Sequence, residues 1–64
     1  MHITEIKEGD NLVNFPPNAR GIPVVVVEVQ LETEMVIVRE VGTNTEWGAD
    51  AKYLFHRDEL AGKL

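Results

Sequence analysis

The chain has 64 residues, enough for one domain and no more. At this size about 60% of the unfolded surface is buried on folding, and a stability of about 3–10 kcal/mol follows from the usual range per residue. With no cysteine there is no disulfide and no thiolate zinc site, and His2 and His56 stand at opposite ends of the chain. Six Lys and Arg against eleven Asp and Glu give a net charge of −5, which disfavours general attraction to DNA, RNA or anionic lipid.

In chain order, the opening residues 1–6 carry Ile3 and Ile6 and are expected to form a short leading edge strand. Glu8-Gly9-Asp10 is a turn, since Gly accepts positive φ and Asp bonds its own backbone. Leu12-Val13-Asn14-Phe15 reads as a short strand. Residues 16–21 form a loop, because Pro16 and Pro17 remove donors and Gly21 gives a flexible exit. From Val24 to Gln30 the β-branched run is the strongest strand signal, with Pro23 able to start it but not to sit in its middle. Residues 31–34 carry the reversal, and residues 35–41 are the second strong strand. Residues 42–45 form a hairpin connection in which Gly42 and Asn44 accept left-handed conformations. A third pairing strand is expected within residues 47–55, most firmly over 52–55. Residues 56–60 read as one helical turn, and residues 61–64 as a brief closing strand.

Short strands separated by turn signals, with no sustained helical period, predict an all-β domain. The size restricts it to a small SH3-like five-strand barrel with one short helical turn near the C-terminus, spanning residues 1–64. The layout resembles the small SH3-like barrels of the KOW and YodC-like type. The residues carrying that resemblance are Gly9-Asp10-Asn11-Leu12 and Gly21-Ile22-Pro23 leading into Val25, Val27 and Val29, with Phe55 and Leu60 bracketing the terminal turn. It implies the barrel fold and little about function, because such barrels host many unrelated activities. The chain departs from the pattern in having Val36-Ile37-Val38 where YodC-like chains tend to carry a Cys and a Trp-Phe pair. Its charge is acidic where KOW domains that contact RNA tend to be basic.

The functional signal lies in the run Val24 to Val27 and in Val36-Ile37-Val38. Alternate strand side chains point to opposite faces and a small barrel fills its interior from one face, so part of each run must leave the core. The expected partner-binding residues are Val24, Val26, Val36 and Val38, with Trp47 beside Gly48 as a rim aromatic and Arg20 in the 16–21 loop. His56-Arg57-Asp58-Glu59 mimics part of a kinase catalytic loop without its downstream Asn, and reads as a structural turn that Leu60 anchors to the barrel end. There is no serine, no cysteine and no Gly-rich phosphate loop, so no catalytic set and no cofactor or metal site is expected.

Together these features read as a non-enzymatic protein-interaction or assembly module. Its partner is a second copy or another protein, with self-association through the Val-rich strands. The alternative is a nucleic-acid-associated KOW-like accessory domain using Arg20, Arg39, Lys52 and Arg57, against which stand Glu28, Glu32 and Glu34 along the central hairpin. The longest apolar run is far short of a membrane span, and no leader-like pattern opens the chain. A cytoplasmic protein of bacterial or phage origin is the expectation.

Overall fold

The computed structural model describes residues 1–60, with side chains through Asp58. Five antiparallel strands, β1 (Asn11–Asn14), β2 (Ile22–Gln30), β3 (Met35–Glu40), β4 (Glu46–Asp50) and β5 (Leu54–Phe55), form one sheet in the order β4-β3-β2-β1-β5. The sheet curls on itself as a small all-β, SH3-like half-barrel. A single helical turn, α1 (Arg57–Leu60), follows β5. The Cα radius of gyration is 10.8 Å, close to the about 11 Å expected of a folded chain of this length.

The long central hairpin β2–β3 follows from its two β-branched runs, reversed through residues 31–34, where Glu34 takes a left-handed φ of 56°. Gly9 (φ 89°) and Gly42 (φ 90°) supply the positive φ that their turns require, whereas Asn44 is not among the positive-φ residues. Pro23 falls near the start of β2, on the outer face between Val13 and Val41. Its carbonyl still accepts the Val41 N–H at 3.0 Å, so only one ladder donor is lost.

Two expected strands resolve differently. The leading segment is a 3-10 turn, Ile3–Glu5, closed by Glu5 N–H to His2 O (2.9 Å) and Ile6 N–H to Ile3 O (3.2 Å). Side chains three residues apart eclipse in such a turn. Ile3 and Ile6 therefore share one side and both pack on the core, which a strand's alternation allows only at even spacing. The stretch 47–55 is two strands, not one. Asp50 breaks it by accepting the Lys52 N–H on its carboxylate (3.0 Å), which starts a second 3-10 turn, Ala51–Tyr53, and only Leu54 and Phe55 pair with β1. The fifth strand thus comes from inside that stretch. The expected closing strand over 61–64 and the anchoring side chain of Leu60 lie outside the described residues.

The core is Ile6, Leu12, Val24, Val26, Val36, Val38, Ala49, Ala51 and Leu54, all at 6% exposure or less. Met1, Ile3, Ile22, Val29 and Trp47 pack around it. One polar side chain joins them. Asn14 donates from Nδ2 to Tyr53 O (3.3 Å) and accepts the Trp47 indole N–H on Oδ1 (3.1 Å). β4 and β1 stand at a distance in the sheet order, so this amide bridges the two sides of the curl that no backbone ladder joins among the described residues. The Met1 amine reaches Leu54 O (3.4 Å) and Ala51 O (3.5 Å), holding the chain start against the same seam.

Candidate interaction surface

The ladder assigns the faces. Leu12, Val24, Val26, Val36 and Val38 are buried, and their neighbours Val13, Val25 and Ile37 are half-buried on the opposite, outer face. The expected partner residues Val24, Val26, Val36 and Val38 are therefore corrected: all four lie in the core at 0–3% exposure and offer nothing to a partner. The reason is a bulge between Val26 and Glu28, across which the β2–β3 register shifts. Counting back in twos from exposed Glu28 would turn Val26 and Val24 outward, but the extra residue at Val27 reverses that parity.

The outer face is nevertheless apolar at two places. At one end Val13 stands opposite Phe55 on β5 and Pro23 on β2, and a Cβ placed on Gly21 would lie 3.1 Å from both Phe15 Cδ2 and Val13 Cγ1. Val13, Phe15, Pro23 and Phe55 thus gather around a bare backbone position. At the other end Gly48 on β4 is exposed, and Met35 Sδ and Cγ lie 3.1 and 3.2 Å from where its Cβ would be, with Ile37 Cδ1 at 3.8 Å. Between the two patches runs the row Asn11, Val25, Arg39 and Glu46.

Trp47 is also corrected as a rim aromatic. It is half-buried, packs on the core and spends its N–H on Asn14. Arg20 is exposed in the 16–21 loop as expected of that segment. Two of the cations stand beside carboxylates: Arg39 lies 4.0 Å from Glu46, and Lys52 lies 3.9 Å from Asp50 with its Nζ 5.1 Å from the Tyr53 ring centre. Pairs so exposed contribute about 0–1 kcal/mol.

The surface grooves are shallow and open. One of about 410 Å³ runs between Ile3, Ile6 and Lys7 and the end of the central hairpin at Val29 and Leu31. Another of about 470 Å³ lies between Val41, Pro23 and the His56-Arg57-Asp58 turn. Among the described residues no group of three or more His, Asp or Glu is placed to hold a metal ion, and no helix is long and apolar enough to cross a membrane.

Three features escaped the sequence reading. Asn14 carries the seam, and its signal was available: it shares a strand face with Leu12, so a core-facing Leu12 requires a core-facing amide. Val25 had no such signal inside an unbroken valine run. Gly48 had one, since a glycine within a strand often marks a place where another chain comes close. No family model, curated protein or solved structure matches the chain.

Proposed function

We propose that the protein is a non-enzymatic assembly module that binds a second copy of itself through the outer face of its sheet, at Val13, Phe15, Val25 and Phe55. The observation that carries this reading is an outer face furnished with half-buried apolar side chains in a barrel whose core already occupies the inner face. The core itself is small, mostly Val and Ala, and a small domain gains stability by mass action from any surface that joins it to a partner. A nucleic-acid role has no comparable support, because Arg39 and Lys52 already face carboxylates and the chain carries a net charge of −5.

Light scattering across a sizing column, from low to high micromolar concentration, tests the proposal. The expected mass rises from that of one 7.2 kDa chain toward twice that value. Val25→Glu should hold it at one chain, with the fold retained because the new carboxylate faces Arg39 across the β2–β3 ladder. A mass of one chain at every concentration overturns the reading.

A further inference from the structure

Among the described residues the outer edge of β4 is open to a further strand. Glu40 N–H bonds Thr45 O at 2.9 Å, which sets these two residues at a bonded position of the antiparallel ladder, with the Thr45 N–H turned to Thr43 Oγ1 (3.2 Å). Bonded and non-bonded pairs alternate along such a ladder. Val38 with Trp47 and Val36 with Ala49 are then bonded, and Arg39 with Glu46, Ile37 with Gly48 and Met35 with Asp50 are not. The backbone N–H and C=O groups of Glu46, Gly48 and Asp50 consequently point away from β3, and among the described residues β4 has no second neighbour in the sheet.

The side chains beside that edge specify what fits it. Gly48 presents bare backbone at its centre, with Met35 and Ile37 forming an apolar shelf next to it. Two residues to either side on the same face, Glu46 and Asp50 are exposed carboxylates. Glu28 lies opposite Ile37 on the next strand but one, and Glu34 borders the same groove as Asp50. These four acids outnumber the three nearby cations, Arg39, Lys52 and the Met1 amine.

We infer that β4 accepts an extended segment of another protein as a sixth strand, one bearing an apolar side chain with Lys or Arg two residues before and two residues after it. Opposite Gly48 the apolar side chain lies against Met35 and Ile37, and the flanking cations fall beside Glu46 and Asp50. Backbone bonds to the edge supply attachment and the alternate side chains supply selectivity. A second copy does not fit here. Pairing two β4 strands antiparallel about Gly48 sets Glu46 opposite Asp50 at both ends, and like charges directly opposite are destabilising. Only a register slip that shortens the overlap avoids this. The inference is independent of self-association through Val25, which lies two strands away.

The test uses a synthetic nine-residue peptide, Thr-Val-Lys-Thr-Ile-Thr-Lys-Val-Thr, titrated into isotope-labelled protein and followed by amide chemical shifts and hydrogen exchange. The expected result is shifts centred on Glu46, Gly48 and Asp50, with exchange of the Glu46 and Gly48 amides slowed at least tenfold. Replacing both peptide lysines by Glu should weaken binding at least tenfold. Gly48→Pro should do the same, since proline is tolerated on an outward-facing edge but donates nothing there; Glu46→Gln, which sets no like charge opposite Arg39, keeps the strand intact and should also weaken binding. Val25→Glu should leave peptide binding unchanged, so failure here and failure of the assembly reading are told apart. No shifts up to 1 mM peptide, shifts confined to another surface, or equal binding of the Glu-substituted peptide overturns the inference. A dimer abolished by Gly48→Pro and untouched by Val25→Glu also overturns it, by showing that the edge takes a second copy.

Discussion

Replacing Asn14 by Ala removes the side chain whose hydrogen bond ties β4 to β1 across the curl of the sheet. Two hydrogen bonds go, the amide to Tyr53 O and the Trp47 indole to Oδ1. At about 1 kcal/mol net for each, the direct loss is about 2 kcal/mol. The two abandoned partners differ. Tyr53 O keeps the Phe15 N–H at 2.8 Å and is not orphaned. The Trp47 N–H, on a half-buried ring, loses its acceptor and adds up to about 1 kcal/mol. The expected total of about 2–3 kcal/mol is a large share of the about 3–10 kcal/mol available to a chain of this length. Urea unfolding followed by far-ultraviolet circular dichroism measures it without depending on the single tryptophan. Trp47→Phe removes the donor together with part of the ring, and leaves Asn14 Oδ1 buried without its partner. In a double-mutant cycle the two changes together should cost about 1 kcal/mol less than their sum, since both break the same bond. A loss below about 0.5 kcal/mol for Asn14→Ala, together with additivity in the cycle, would refute the view that this amide closes the barrel.

Two further predictions probe the faces and the turns. Val24→Thr should cost about 1–3 kcal/mol by placing a hydroxyl in a fully buried site, and Val25→Thr less than about 0.5 kcal/mol, as read from urea midpoints; equal effects would contradict the assigned parity. At the turns, Gly42→Ala should destabilise by about 1 kcal/mol although its Cβ meets nothing within 4 Å, because φ is 90°, and Glu34→Gly should stabilise by up to about 1 kcal/mol by relieving φ of 56°; thermal midpoints moving the other way would refute both.

The central hairpin was legible in the sequence because its cues agree: two β-branched runs, a polar reversal between them and a glycine after the second. The 16–21 loop and the Gly9 turn were legible for the same reason. What failed was parity and punctuation. In β3, Arg39 anchors the count, and stepping back from it turns Ile37 outward and Val36 and Val38 inward. In β2 the corresponding anchor is Glu28, and the bulge beside it makes the count misleading, because an extra residue is invisible in an unbroken run of valines. The split of residues 47–55 rests on the carboxylate of Asp50 capping a 3-10 turn, a local bond that competes with the strand propensity of residues 52–55. At the chain start, three-residue spacing between Ile3 and Ile6 carried the turn. Of the candidate site, only the principle that apolar residues leave the core survived; which ones do so depends on a register that neighbouring strands impose.

The strand order also sets how the chain reaches this structure. β1 to β4 neighbour one another in sequence, so three of the four ladders close through short turns or the 15–21 loop. The fourth pairs Asn14 with Leu54 and must close about 40 residues, at an entropy near 3 kcal/mol before any constant term. The two residues of β5 offset it with a short pairing, the burial of Leu54 and the Met1 amine on Leu54 O. The meander from β2 to β4 is therefore the natural nucleus, with β5 docking late. Changes at Leu54 will speed unfolding while leaving the folding rate nearly alone, and the lifetime of the curled sheet is set by its shortest strand.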